Sequence, residues 1–408
     1  MAQISPATRD TTVKVLGVGG GAGNAINCMV RAGVPGVEFV AVDSDADALS
    51  RSLASVTIYF HEQVTEGPGT AEIADRLTLD AREKLRQAIS SADLLFIIAG
   101  MGGATGSGFA PAIAEIAREL DVLTIGMVTL PFNFEGTRRR RAADAGIAGL
   151  RSAVNLLITV PDDRLLPLAD KKTTMILAFA LVDEVLRLAV QSISGTIATP
   201  GLIREDFAEV KRLLATGGSA GIGIGQASGP DRAVDAARQA LASPLLYSPA
   251  RDADSLLFVY TAADFAAADL ANAAAIVRAE AKGGNAACLG TVADSSLGPD
   301  VEVMVIATGA HYAPKNRWGP RQGPVDPHSG PSHPFGPHSG TSRPSDPPFG
   351  GPPPADQRIP RRPPRSPFAG SAQAVPPNAD QDEVEVIGNV SIPRLEPETA
   401  GSGEASPA

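Results

Sequence analysis

The stretch Leu94-Leu95-Phe96-Ile97-Ile98-Ala99-Gly100-Met101-Gly102-Gly103-Ala104-Thr105-Gly106-Ser107-Gly108 constrains this chain more than any other. An apolar strand runs straight into glycines, which take φ > 0 freely and let the backbone approach a ligand closely. The N–H groups so exposed, with the positive end of a helix predicted from Phe109 to Leu120, form a cradle for phosphate oxygens.

A second unit of the same kind lies upstream. Val13-Lys14-Val15-Leu16-Gly17-Val18-Gly19-Gly20-Gly21-Ala22-Gly23-Asn24-Ala25 reads as strand, glycine turn and helix start, and Asp43 closes the next strand about twenty residues on. Alone, this unit fits a dinucleotide site, with a pyrophosphate over the glycines and Asp43 on a ribose hydroxyl. No G-x-x-x-x-G-K-[ST] is present, which excludes a Walker-type loop. Around the two units, strand-like runs (Val13 to Gly17, Val37 to Val42, Leu94 to Ala99, Leu123 to Val128, Leu156 to Val160) alternate with helical patterns, which predicts a mainly parallel sheet covered by helices. A long helix is expected over about 173–197, from Met175, Leu177, Phe179, Val182, Val185, Leu186, Leu188 and Ala189 at helical spacing, and Pro200-Gly201 ends it. Residues 201–310 read as a smaller α/β unit, with strands at Gly221 to Gln226, Ser255 to Thr261, Ala287 to Val292 and Val301 to Ala307. Its helices are Arg232 to Ala242 and Phe265 to Ala281.

Beyond residue 310 the composition changes. Of the 34 prolines, 19 fall in 311–380, so that segment is expected to be a disordered linker with no core of its own. As a flexible coil of about 70 residues it would span roughly 45 Å. His328, His333 and His338 sit in an approximate repeat, but no carboxylate or cysteine joins them at ligand spacing, so the linker reading is preferred to a metal site. An acidic, partly apolar tail follows at 381–408, of a kind that binds partners by folding on contact. Cys28 and Cys288 have no metal-ligand spacing and read as buried small apolar residues. A net charge of −10 argues against general nucleic-acid binding. With no signal-peptide pattern at Met1 to Pro6 and no run of about 18 apolar residues, the chain is expected to be cytoplasmic, without direct membrane insertion.

The Gly102 to Gly108 segment is close to the GGGTG[ST]G signature of the tubulin and FtsZ family, with Ala104 in the third glycine place, and the upstream glycine loop and Pro131-Phe132-Asn133-Phe134-Glu135-Gly136 fall in the family's order. From Val13 to Ala310 the chain resembles that family. The resemblance implies a Rossmann-like parallel-sheet GTPase domain (11–200), a long central helix and a smaller α/β C-terminal domain (201–310). It also implies a GTP site in which several loops wrap the phosphates of one nucleotide. Residue by residue, it places Gly19, Gly20, Gly21, Gly23, Asn24, Asp43, Gly102, Gly103, Ala104, Thr105, Gly106, Ser107 and Gly108 around the phosphates, and Glu135 and Arg139 at the ribose and nearby phosphates. Phe179 would pack on guanine. Asp183, which stands at a place taken as Asn in the family, would accept hydrogen bonds from guanine N1–H and the 2-amino group.

The segment Gly201 to Glu209 resembles the loop that reaches into the next subunit's nucleotide site. There Asp206 and Glu209 would orient the attacking water, with Mg²⁺ on the phosphates. Arg204 and Glu209 depart from the family's Asn and second Asp, and the family's γ-phosphate loop is shortened to Pro68-Gly69-Thr70-Ala71-Glu72. Of the basic run, Arg139 fits a ligand role and Arg138, Arg140 and Arg141 a solvated face. Ile392, Pro393 and Leu395 resemble part of the family's tail motif for membrane adaptors. The expectation is thus a GTP-hydrolysing protein that polymerises head to tail at the bacterial division septum and binds division or adaptor proteins through its tail. Its alternatives are a paralogue that binds GTP and co-assembles with little turnover, and an NAD-dependent oxidoreductase resting on the first glycine loop alone.

Overall fold

The computed structural model describes residues 11–60, 77–166, 174–198, 211–212, 218–280 and 287–309. Ten strands form one sheet: β1 (Val13–Val18), β2 (Val37–Asp43), β3 (Val56–Tyr59), β4 (Leu94–Gly100), β5 (Leu123–Leu130), β6 (Leu156–Pro161), β7 (Ser219–Ala227), β8 (Ser255–Ala262), β9 (Ala287–Ala293) and β10 (Val301–Thr308). Their spatial order is β3-β2-β1-β4-β5-β6-β7-β10-β8-β9. The first six are parallel, as the alternation of strands and helices predicts. β10, the last strand among the described residues, lies antiparallel between β7 and β8. Among the described residues, β6 pairs with β7 at two positions, Leu157 with Ser219 and Ile158 with Ala220.

The sheet is buried on both faces, so its strands are almost continuously apolar. On one face lie α1 (Gly20–Arg31), which contributes Ile26 and Met29, and α6 (Met175–Ala198), which contributes Val185, Leu186 and Ile193. On the other lie α3 (Leu79–Ile89), α4 (Ala104–Glu119) and α5 (Thr137–Ala153), through Leu85, Phe109, Ile113 and Leu150. A short α2 (Ala46–Ser50) follows β2. In the second half α7 (Arg232–Leu241) and α8 (Ala267–Glu280) cover the face carrying Val301, Val303 and Val305, while Met304 and Ile306 point to α6. One long helix therefore serves both halves. A Cβ on Gly223 would stand 2.1 Å from the Ala240 carbonyl oxygen, so only glycine allows α7 to lie this close to β7.

The sequence-predicted strands are all present, one to three residues longer. Four of these elements had no sequence-based expectation: β3, α2, α3, and α5 over the basic run. The predicted linker (311–380) and tail (381–408) lie outside the described residues.

Candidate functional site

The strand order 3-2-1-4-5-6 reverses direction between β1 and β4, and in open parallel sheets that reversal opens a crevice beyond the strands' carboxyl ends. Both glycine turns sit there. After β1, Gly19 takes φ 85°, donates its N–H to the Val42 carbonyl (2.9 Å) and accepts the first bond of α1 from Gly23 (3.0 Å). The N–H groups of Gly20, Gly21 and Ala22 in the first turn thus have no intrahelical partner. A Cβ at Gly21 or Gly23 would meet nothing within 4 Å, so this turn faces open space.

After β4 the chain departs from expectation. The helix begins at Ala104 rather than Phe109, so Thr105, Gly106, Ser107 and Gly108 form its opening turns instead of a loop. The reason is close packing. A Cβ on Gly106 would stand 2.3 Å from the Gly100 carbonyl oxygen, and its absence lets α4 start directly on the end of β4. Gly102, at φ 101°, makes the turn, and Gly103 is the exposed N-cap. The Ser107 hydroxyl accepts from the Gly102 N–H (2.8 Å), which locks the loop back on the helix. Buried Ser107 and Gly108 hold the cradle in shape, while Gly103, Ala104 and Thr105 form its open rim.

The two turns touch. A Cβ on Gly19 would be 3.4 Å from the Gly106 nitrogen and from Thr105 Cβ, and Ser44 Oγ lies 3.0 Å from Thr105 Oγ1. Two helix N-termini therefore converge, each contributing partial positive charge and unpaired N–H groups. Asp43 is buried beside them, and its Oδ1 accepts from the N–H groups of Ser44 (2.7 Å) and Asp45 (3.2 Å). Burial raises its pKa, against those two bonds. Asp43 therefore shapes the turn after β2. A cavity of about 270 Å³ opens here, bordered by Gly19, Gly20, Gly23, exposed Asn24, Asp43 and Asp45.

Across the crevice, Glu135 ends the short 3-10 turn Asn133–Glu135; its Oε1 accepts from the Phe132 N–H (2.8 Å) and its Oε2 pairs with exposed Arg139. Phe179, on the first turns of α6, is 45% exposed and meets buried Phe132 edge to face at 5.5 Å. It is an aromatic face open for stacking rather than a core residue. Asp183, one turn later, is half-buried, and desolvation pushes its carboxyl up to about 7. Sequence reasoning missed Asp162, the first residue after β6. It is buried, its Oδ1 has no hydrogen-bond partner, and burial, then the charges of Glu135, Asp163 and Asp183, push it up to about 8. Its position at the carboxyl end of a parallel strand is the signal that would have found it. Asp206, Glu209, Arg204 and the shortened loop at Pro68 to Glu72 lie outside the described residues. Among the described residues, no group of three or more His, Cys, Asp or Glu side chains is placed to hold a metal ion.

The family model described as the Tubulin/FtsZ family GTPase domain matches residues 12–170, and that of the FtsZ family C-terminal domain matches 218–311. A solved structure of FtsZ from M. jannaschii, an empty dimer, is 32% identical with TM-score 0.69, covering 74% of this chain and 89% of that one. A mutant of that protein gives 32% identity, coverage of 74% and 91%, and TM-score 0.68. CetZ2 from Haloferax volcanii, solved as a GTPγS-bound protofilament, shares the fold at 21% identity and TM-score 0.61, covering 73% and 93%. Paired glycine turns at the sheet's reversal point, two family models in order and this identity over most of the chain place it together with its relatives: the chain belongs to the tubulin/FtsZ family.

Proposed function

We propose that this chain binds and hydrolyses GTP, assembles head to tail into filaments and acts in bacterial cell division, in the cytoplasm at the division septum. The meeting of two glycine turns under two helix N-termini carries the reading, since one phosphate chain can accept N–H groups from both at once. Gly20, Gly21, Gly103, Ala104 and Thr105 would donate to phosphate oxygens, and Arg139, held by Glu135, would meet the ribose and phosphates. Phe179 would stack on guanine. Ionised Asp183 would accept from N1–H and the 2-amino group, while Asp162, neutral up to about pH 8, keeps an O–H to donate. Mg²⁺ takes few protein ligands when phosphates are present, so it would ride on the phosphates and lend them charge neutralisation.

Residues 11–200 would form the nucleotide-binding half, and 201–310 would complete a neighbour's site. There Asp206 and Glu209 of the next subunit orient the attacking water, so turnover follows assembly. A head-to-tail contact of this kind does not close on itself and gives filaments. The segment 311–380 would space the filament from division or adaptor proteins bound by 381–408. The solved dimer of FtsZ and protofilament of CetZ2 support self-assembly as the mode of action.

The second reading, a divergent paralogue that co-assembles with little turnover, is favoured by the likeness to CetZ proteins and by Arg204 and Glu209. The nicotinamide reading loses its ground with the family assignment. GTP turnover and sedimentation, measured over a protein concentration series with and without Mg²⁺ and repeated for Asp206→Ala, test the proposal. Turnover that starts at a critical concentration and vanishes in the variant supports a shared site. Turnover independent of concentration and retained in Asp206→Ala refutes it, and pelleting without turnover selects the second reading.

A further inference from the structure

The three-residue 3-10 turn Asp162–Arg164 stands where three parts of the protein meet. Asp162 is buried, and the charges of Glu135, Asp163 and Asp183 of α6 all bear on it. Asp163 Oδ1 accepts from the Asn133 N–H (3.1 Å), which ties the turn to the segment carrying Phe134 and Glu135. Arg164 leaves in another direction and grips the segment after α7 in the second half. Its Nη1 donates to the carbonyls of Pro244 (2.7 Å) and Leu246 (3.1 Å), and its guanidinium lies 4.6 Å over the Tyr247 ring. Tyr247 closes the loop. Its hydroxyl lies 2.8 Å from Thr159 Oγ1 and donates to the Thr159 carbonyl (3.1 Å), three residues before Asp162 on β6.

A cation over an aromatic face, with both backbone carbonyls behind it engaged, is a rigid arrangement. β6 and β7 share two paired positions among the described residues, and this clamp adds a side-chain tie from the end of β6 to the segment after α7, beside the packing of α6 on both halves. We propose that Arg164, with Tyr247, is a positioning residue for the nucleotide pocket: it anchors the turn that holds Asp162 to the second half of the chain, so base recognition and the order of residues 243–250 depend on each other. This rests on the nucleotide reading above. Coupling between two sites is reciprocal, so if the 243–250 segment holds the pocket in shape, a bound nucleotide must in turn protect that segment.

The test uses the full chain below its assembly concentration, with GDP and inosine diphosphate as probes; the latter lacks the 2-amino group. Affinities are measured for the wild type, Arg164→Met, Arg164→Lys and Tyr247→Phe, along with amide hydrogen exchange of residues 243–250 with and without GDP. In the wild type, GDP should slow exchange in 243–250 by about tenfold or more, in line with ordinary coupling strengths. Arg164→Met should lose that protection, bind GDP roughly tenfold more weakly and narrow the GDP preference over inosine diphosphate, with partial rescue in Arg164→Lys. A purely structural role would lower thermal stability and leave the GDP preference unchanged. Folded Arg164→Met with wild-type GDP affinity, preference and protection overturns the proposal. If Arg164→Met fails to fold, Arg164→Lys decides, since it cannot reproduce the guanidinium's contacts in full: wild-type GDP preference and full protection of 243–250 in that variant overturn the coupling equally. A wild type that binds neither probe refutes the nucleotide reading itself, and this inference with it.

Discussion

Gly106 offers the sharpest test of how the phosphate cradle is built. A Cβ added there would stand 2.3 Å from the Gly100 carbonyl oxygen and 3.2 Å from its carbon, both backbone atoms that cannot rotate aside. Restoring an ordinary carbon–oxygen contact would move the first turn of α4 by about 1 Å. Overpacking of this kind costs roughly 1–3 kcal/mol, and each kcal/mol lowers Tm by about 2 °C or less in a chain larger than about 250 residues. The functional loss should be larger than the stability loss, because misplacing binding groups by about 1 Å costs on the order of 100-fold in rate. Gly103→Ala is the control. A Cβ there meets nothing within 4 Å and the residue already has φ −86°, so its stability should stay within about 0.5 kcal/mol of the wild type. Thermal denaturation, GDP titration and GTP turnover of both variants provide the comparison. Equal Tm for Gly106→Ala and Gly103→Ala, with wild-type GDP affinity in Gly106→Ala, would refute the argument that close packing of α4 on β4 sets the cradle.

Glu302 on β10 is buried, and burial pushes its carboxyl from 4.5 up to about 8, with Arg187 opposing and Glu184 and Asp294 adding to the rise. A raised folded-state pKa means stability that is fully present below about 4.5 and lost as the pH rises through about 8. Glu302→Gln should therefore melt above the wild type at pH 8, by on the order of a few kcal/mol, with the two curves converging near pH 4.5; parallel curves would contradict this. Asp183, at about 7, must be ionised to accept from guanine, so GDP affinity should weaken as the pH falls from 7.5 to 6. Asp183→Asn should flatten that contribution in isothermal titration. Phe179→Ala should weaken GDP binding by about tenfold through lost stacking while Tm changes little, since the ring is 45% exposed; an equal loss of both would mark it as a core residue. Gly223→Ala, with its Cβ 2.1 Å from the Ala240 oxygen, should destabilise the second half by about 1–3 kcal/mol and raise proteolytic sensitivity there first.

The parallel half was legible because strands buried on both faces are written as uninterrupted apolar runs, as in Leu94 to Ala99 and Leu156 to Val160. β3 escaped because an edge strand of four residues buries only Ile58, and Val56 and Tyr59 point outward without a pattern. α5 escaped because four arginines, Arg138 to Arg141, follow its first residue Thr137, a poor helix opening by charge; its apolar positions, Ala143, Ile147 and Leu150, appear only later. The glycine turns were legible as ligand-facing segments, yet the start of α4 was misplaced by five residues. Glycines that serve close helix packing and glycines that serve a loop look alike in sequence. Asp162 could be found only from its place at the carboxyl end of β6, since its unpartnered oxygen leaves no pattern of its own, and Arg164 acts through a contact eighty residues away that leaves none.

The central place of β10 has a consequence for how the chain is made. During synthesis, β1 to β6 can pair completely once about residue 161 has emerged, because no later strand is needed between them. The second half has no such freedom. β7 and β8 are separated by a gap that Val301–Thr308 fills, so each keeps an open edge until that strand has left the ribosome. A chain interrupted before residue 301 would thus carry a finished first half joined to two unpaired, apolar strand edges. The strand order therefore makes such fragments more prone to aggregation than the complete chain.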